Sequence, residues 1–160
     1  MSLKDAQRLL AHLDYPMFIV TARDGRELAG CLIGFATQTS IHPPRMLVCL
    51  SRENRTTRVA RRSPALAVHL VPADRLDLAD LFGGETGDDV DKFSRCAWDE
   101  GPQGLPVIRG CPGWLVGEVL ERHEMGDHVG HLLDPVDGSM TGDEGLSFHR
   151  ARVIEPGHGP

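Results

Sequence analysis

The sequence predicts a mainly β protein: an antiparallel barrel with a few attached helices. About seven short apolar and β-branched runs are separated by turn residues, which is typical of antiparallel strands. Strands and helices do not alternate regularly, and this argues against a parallel α/β sheet. The chain also lacks a glycine-rich dinucleotide fingerprint and a P-loop. At 160 residues, we expect a single domain over positions 1–160.

The N-terminal part of the chain predicts a helix followed by a β-hairpin. Apolar residues at helical spacing place one face of a helix over residues 3–13. Residues 15–22 and 27–33 are apolar and partly β-branched, and the pair at 24–25, Asp-Gly, is a tight-turn signal. These two runs therefore predict the first two strands.

The next segment predicts a strand, a helix and another strand. The two prolines at 43–44 disfavour both a helix and a central strand, so the apolar run at 46–50 predicts a third strand entered from a loop. Residues 51–62 have helix-compatible spacing. Residues 65–71 are apolar again and predict a fourth strand.

A third helix and a glycine-rich segment follow. Leucines at helical spacing predict a helix over residues 74–82, which the glycine pair at 83–84 ends. Residues 83–104 are rich in glycine and acidic side chains, and either a lid over a site or a surface excursion explains them. The side chains able to anchor this segment are Phe93, Cys96 and Trp98.

The last third of the chain returns to β character. Strands are predicted at 105–111, 114–122 and 127–133, with the Met125-Gly126 turn between the last two. Residues 148–154 predict a final strand, and the Pro/Gly-rich tail at 155–160 is expected to be flexible.

Composition and charge narrow the function classes. The net charge of −6 disfavours nucleic-acid binding, which normally needs a basic face. No apolar run approaches the roughly 20 residues of a membrane helix, and the N-terminus lacks the apolar region of a signal peptide. The four cysteines show no zinc spacing and are expected to be buried, reduced thiols. We therefore expect a cytoplasmic protein with no nucleic-acid or membrane partner.

The segment 30–60 carries the candidate binding site. Gly34 and its small neighbours let a planar ligand approach the main chain, and Gln38 and Ser40 offer polar partners in the following loop. Ser51, Asn54, Arg55 and Thr56 lie at a predicted helix start, where backbone N–H groups favour a phosphate. The alternative is that these are turn and capping residues that satisfy only their own backbone.

Three histidines near the last predicted hairpin are candidate metal ligands. His123, His128 and His131 lack helical i, i+4 spacing, and no cysteine or carboxylate completes a ligand set. We therefore predict no metal site. His128 begins a predicted strand, so it either projects into a site from the barrel rim or makes a structural hydrogen bond.

Several motifs in order resemble the flavin reductase-like family of FMN-binding split barrels, over residues 15–154. They are Gly30, the segment 32–35, Ser40 with Pro43-Pro44, the strand ending in Ser51, Asn54-Arg55-Thr56, the helix ending LADLFGG, Asp91-Lys92-Phe93, Gly104-Leu105-Pro106 and Gly126-Asp127-His128. The resemblance implies an antiparallel Greek-key split β-barrel and a homodimer. It also implies an NAD(P)H-dependent flavin oxidoreductase that supplies reduced FMN or FAD to a partner monooxygenase. The alternatives are a tight FMN-binding electron-transfer or sensor protein without turnover, and a flavin-independent binding module.

The resemblance also assigns roles to individual positions. Leu32, Ile33, Gly34 and Phe35 would lie along the flavin ring, Ser51 to Thr56 would approach the phosphate, and His128 would lie near the nicotinamide of NADH or NADPH. Many members have Thr-Ala-Ser-Ser where this chain has Leu-Ile-Gly-Phe. Because those hydroxyls are missing here, we expect backbone N–H groups to replace them.

Overall fold

The computed structural model describes residues 2–142 and 145–157. Within them, short 3₁₀ turns lie at Lys92–Ser94 and Pro102–Gly104. The helices are α1 (Leu3–Ala11), α2 (Arg55–Ala60), α3 (Leu76–Gly84) and α4 (Phe148–Ala151). The strands are β1 (Phe18–Asp24), β2 (Glu27–Ile33), β3 (Ala36–Ser40), β4 (Arg45–Ser51), β5 (Ala65–Leu70), β6 (Trp98–Glu100), β7 (Pro106–Ile108), β8 (Gly113–Glu124) and β9 (His128–Met140).

Seven of these strands form one antiparallel sheet in the order β2-β1-β5-β8-β9-β4-β3. The predicted β1–β2 hairpin pairs Asp24 with Glu27 around a turn in which Gly25 has a φ of 59°. The sheet coils until β2 approaches β4, and α2 carries the chain from β4 across to β5. This crossover makes the arrangement a barrel with Greek-key connections, as the resemblance implied.

The barrel closes around an apolar core. Inward-facing side chains of β1, β4, β5 and β9 meet there, including the fully buried Val20, Val48, Leu66 and Leu133. Burial of each such side chain stabilises the fold by about 1.5–3 kcal/mol. Strand alternation explains the pattern, because successive residues point to opposite faces of the sheet.

A second apolar cluster lies outside the barrel around α3. Phe82, Ile108 and Leu146 are fully buried in it. Phe93, Cys96 and Trp98 pack against the same cluster, so the predicted anchors of the 83–104 segment are confirmed. The Trp98 indole N–H donates to the Phe93 carbonyl at 3.1 Å.

Two element predictions are wrong. Residues 148–154 do not form a strand, because Ser147 caps a helix by accepting a hydrogen bond from the Arg150 N–H, and α4 follows. Residues 36–40 form the edge strand β3 rather than a loop. The side chains at 37–39 are exposed, and Thr37 and Gln38 pair with Leu47 and Met46 of β4. The strand predicted at 105–111 is shorter than expected, and β7 pairs with β6 in a separate two-stranded sheet.

The two ends of the chain meet beside α3. The Phe148 N–H donates to the Tyr15 carbonyl, and the Met17 N–H donates to the Leu146 carbonyl, both at 2.8 Å. Part of the predicted flexible tail is held as well, because the Gly157 N–H donates to the Gly83 carbonyl at 3.3 Å. Residues 158–160 lie outside the described residues.

The described helices are too short or too polar to reach across a lipid bilayer. The cysteines, all within the described ranges, are free thiols; Cys31 and Cys111 are buried, and Cys49 and Cys96 are half-buried.

Candidate functional site

A cavity of about 420 Å³ opens where β2 ends, between the barrel, α3 and α4. Its size falls in the range of small-molecule sites in proteins. The lining comes from distant parts of the chain: Tyr15 and Met17 between α1 and β1, the end of β2, the end of β4, the C-terminal end of α3, the start of β9, and α4. The candidate ring segment Leu32, Ile33, Gly34 and Phe35 lines it in full.

The backbone of this segment presents free donors. Within the described chain, no carbonyl or side chain accepts from the N–H of Gly34 or of Phe35. The carbonyls of these residues are used, since that of Gly34 accepts from Ala36 and that of Phe35 accepts from Cys49. Unpaired backbone donors beside a cavity are costly unless water or a ligand accepts from them, so this edge suits a ligand with acceptor atoms.

Gly34 is required by close packing. A Cβ at this position would lie 2.2 Å from Cε2 of Tyr15, far inside van der Waals contact. The Tyr15 ring therefore lies directly against the main chain of the predicted ring segment. Burial, followed by the charge of Asp14, raises the pKa of Tyr15, so its phenol is neutral.

Aromatic rings form a continuous row along one side of the cavity. The Phe148 and Tyr15 rings stack with centroids 4.6 Å apart, Tyr15 meets Phe35 edge-on at 6.1 Å, and the Phe35 and His128 rings are 4.9 Å apart. Such a row offers large, apolar, flat surfaces to a planar ligand.

His128 is the first residue of β9 and lies opposite Ser51 of β4. Its Nδ1–H donates to Asp127 Oδ1 at 2.6 Å. This hydrogen bond holds the pKa of Asp127 below its ordinary value, so the carboxylate is charged and fixes the imidazole. His128 thus lines the cavity and also makes a hydrogen bond with its neighbour in sequence.

Only some of the residues predicted to bind the phosphate line the cavity. Ser51 and Asn54 line the cavity, and the Asn54 side chain caps α2 by accepting from the Thr56 N–H at 2.9 Å. Thr56 is fully buried and does not line the cavity. Arg55 turns away from the cavity: its guanidinium donates to the Leu28 carbonyl and to Glu27, each at 3.1 Å.

Gln38 and Ser40 also lie away from the cavity. They belong to the edge strand β3, where the Gln38 amide donates to the Ser40 carbonyl at 3.0 Å. Neither of them lines the cavity, so the structure does not bring these two predicted contacts to the site.

Two cysteines line the cavity without being reactive. Burial raises the pKa of Cys31 to about 11, and it also raises that of Cys49. Both thiols are therefore protonated at neutral pH, and neither is a candidate nucleophile. The described residues contain no group of three or more His, Cys, Asp or Glu side chains arranged to bind a metal ion.

Residues 10–155 match the family described as the flavin reductase like domain. The chain belongs to the flavin reductase-like family. Within this family it is similar to the reductase component of 4-hydroxyphenylacetate 3-monooxygenase from Pseudomonas aeruginosa, with 27% identity over 88% of this chain and 87% of the relative. It is also similar to the NADH-dependent FMN reductase RutF of Agrobacterium fabrum, with 27% identity over 92% of this chain and 85% of the relative.

Solved structures share the fold. The NADH:FAD oxidoreductase of Streptomyces globisporus superposes with a TM-score of 0.82, at 24% identity, over 91% of this chain and 87% of that one. A flavin reductase domain protein from Arthrobacter gives a TM-score of 0.82 at 20% identity, over 92% and 91% of the two chains. The split-barrel fold of the flavin reductase-like family, predicted from the sequence, is confirmed.

The family pattern did not reveal all the residues that complete this cavity. Tyr15, Phe148 and Arg152 line it, and no motif singled them out. Phe82 and Gly83 also line it; they belong to the LADLFGG motif, but the glycine pair at the end of α3 predicted only a helix stop. Arg152 is the arginine that faces this cavity, whereas the family motif pointed to Arg55.

Proposed function

We propose that the protein is an NAD(P)H-dependent flavin oxidoreductase, which transfers hydride from the nicotinamide of NADH or NADPH to FMN or FAD. The observation that carries this proposal is the pair of unpaired N–H groups on Gly34 and Phe35, two residues that line a cavity bordered by His128. A flavin ring has acceptor atoms along one edge and a flat apolar body, and it matches these donors and the aromatic row. The names and activities of the relatives agree with this chemistry.

The bound flavin would supply the hydride acceptor, and the protein's contribution would be binding and orientation. The N–H groups of residues 34 and 35 would donate to the ring edge in place of the missing hydroxyls. Asn54 and Ser51 would meet the polar chain of the flavin. His128, held by Asp127, would orient the nicotinamide so that its C4 faces the flavin.

We further propose that the protein is a cytoplasmic, single-domain homodimer that passes reduced flavin to a partner monooxygenase. Two relatives support the partner, since each is named as the reductase component of a monooxygenase. Exposed leucines on α1 support the dimer, because an apolar helix face is stabilised by contact with another surface.

The test is an absorbance spectrum of the purified protein, followed by NADH and NADPH oxidation assays with FMN and with FAD. We expect colourless protein that consumes a dinucleotide only when flavin is added. No consumption with any of the four combinations would contradict the proposal. Protein that is yellow, holds stoichiometric flavin and shows no turnover would instead indicate the electron carrier. A flavin bound as a substrate with a Kd near micromolar and one bound as a prosthetic group with a Kd near nanomolar differ by about 4 kcal/mol in binding free energy.

A further inference from the structure

A phosphate-bearing cofactor needs a positive partner, and the structure supplies one that the family motif does not. FMN, FAD, NADH and NADPH all carry phosphate groups, while the ring segment of the cavity is uncharged. Among the described lining residues, Arg152 is the one arginine or lysine. The following inference rests on the proposed function, because it concerns the cofactor bound there.

Arg152 is presented to the cavity by α4. Phe148, Ala151 and Arg152 are spaced i, i+3 and i+4, so they share one face of this helical turn, and all three line the cavity. The turn is held in place, because the Phe148 ring stacks on Tyr15 and the Phe148 N–H donates to the Tyr15 carbonyl. The Arg152 N–H in turn donates to the Phe148 carbonyl at 2.9 Å.

The Arg152 guanidinium is also free to bind a ligand. In residues 2–142 and 145–157 it forms no ion pair and no hydrogen bond with a side chain or carbonyl. The arginines near α2 differ in this respect, since Arg55 pairs with Glu27, Arg58 with Asp88, and Arg62 with Asp24. A cation already paired with a carboxylate has less to offer a phosphate than an unpaired one.

We propose that Arg152, rather than Arg55, binds a phosphate group of the cofactor in this cavity. A guanidinium makes two parallel N–H···O contacts to a phosphate, and these are among the stronger hydrogen bonds in proteins. The phosphate belongs either to the flavin or to the dinucleotide, and the binding experiment distinguishes the two.

The experiment titrates wild type and Arg152→Ala with FMN and with riboflavin, which lacks the phosphate, and follows flavin fluorescence. The matched control is Arg150→Ala, which removes an exposed arginine of the same helix that does not line the cavity. If Arg152 binds the flavin phosphate, its loss should weaken FMN binding roughly tenfold to a hundredfold and leave riboflavin unchanged. Arg152→Lys should recover part of the loss, and Arg150→Ala should behave as wild type.

The second arm measures the affinity of the flavin-loaded protein for NAD⁺ and NADP⁺ by calorimetry. A loss of similar size confined to the dinucleotide would assign the phosphate to it. Arg152→Ala that binds FMN and both dinucleotides within about twofold of wild type would overturn the inference. Wild-type protein that binds neither FMN nor riboflavin would overturn the proposed function, and the role of Arg152 with it.

Discussion

Gly34 lies where many family members have a serine, and close packing against Tyr15 leaves no room for a side chain there. Its Cα lies so close to the Tyr15 ring that Gly34→Ala would force the ring to move. We expect the substitution to lower the free energy of unfolding by about 1–3 kcal/mol, as overpacking does. Urea denaturation would measure this. In a Tyr15→Ala background the same substitution should cost much less, and equal costs in both backgrounds would refute the role of the ring.

A glycine away from the cavity gives the control for this measurement. A Cβ at Gly87 would lie 3.4 Å from the flexible side chain of Arg55, an ordinary contact. Gly87→Ala should therefore change the free energy of unfolding by no more than about 0.5 kcal/mol.

His128 is expected to act on the dinucleotide rather than on the flavin. It lies on the cavity rim and is held by Asp127, so His128→Ala removes one oriented hydrogen-bonding group. We expect the KM for NADH or NADPH to rise about fivefold to thirtyfold while the Kd for FMN stays unchanged. Steady-state kinetics and flavin titration measure the two quantities. His123→Ala, which removes an exposed histidine paired with Glu121, is the control; an unchanged KM in His128→Ala would contradict the assignment.

His69, whose hydrogen-bond partners belong to the second apolar cluster, makes the free energy of unfolding depend on pH. Its Nδ1–H donates to the Ile19 carbonyl at 2.9 Å, and its Nε2 accepts from the Ile108 N–H at 3.1 Å, so the folded state requires the neutral ring. Burial lowers the pKa of His69 from 6.5 to about 4. Because the unfolded chain binds the proton first, this stability is present above pH 6.5 and is lost as the pH falls toward about 4.

The expected loss is on the order of 3 kcal/mol for His69 over that window. His131 adds a second contribution of the same sign, because burial lowers its pKa to about 4 as well. Urea denaturation at a series of pH values measures the sum. His69→Gln should flatten the dependence, and a variant with the wild-type slope would contradict this account.

At the scale of elements, the sequence correctly predicted the helices and strands that are marked by residues close by in the chain. The β1–β2 hairpin has its Asp-Gly turn, and α3 has its glycine stop. The strand β3 was missed because an edge strand with one exposed face carries threonines and glutamine instead of an apolar run. Residues 148–154 include the β-branched Val153 and Ile154, which favour a strand, but the Ser147 cap and contact with Tyr15 select a helical turn. β9 runs beyond the predicted end at 133 because Pro135 and Gly138 are accommodated within the long β8–β9 ladder.

Lys92 connects the 3₁₀ turn at 92–94 with β2 and α3, and replacing it should destabilise the packing of all three. Its buried ammonium donates to the Gly30 carbonyl of β2 and to the Phe82 carbonyl of α3, each at 3.0 Å. Lys92→Met keeps the apolar stem but leaves two buried carbonyls unpaired, so we expect the free energy of unfolding to fall by roughly 2–5 kcal/mol. FMN binding should weaken too, because Phe82 and Gly83 line the cavity. Lys4→Met on the exposed α1 is the control, and a Lys92 variant as stable as it would contradict this role.

At the scale of the whole molecule, the site depends on contacts that no local pattern reports. The sequence placed residues 32–35, Ser51, Asn54 and His128 at one cavity, because they lie at strand ends of a recognisable barrel. It assigned Arg55 to the phosphate since it could not show that Glu27, from another strand, would pair with that arginine. It missed Tyr15 and Phe148 because the two ends of the chain meet only in the folded protein.

The homodimer is a property of the whole molecule, and α1 provides its test. No residue of α1 is buried, and Leu3, Leu9 and Leu10 are 75%, 68% and 63% exposed. A nine-residue helix is marginal in water on its own, so contact of these leucines with a second copy would stabilise it.

We expect wild type to sediment as a dimer, and Leu10→Glu to weaken the dimer and reduce helical circular dichroism at the same time. Lys4→Glu, which places the same charge in the first turn on the polar face, should do neither. Wild type that sediments as a monomer at micromolar concentration would refute the dimer, and a Leu10→Glu protein that stays dimeric would exclude α1 from its interface.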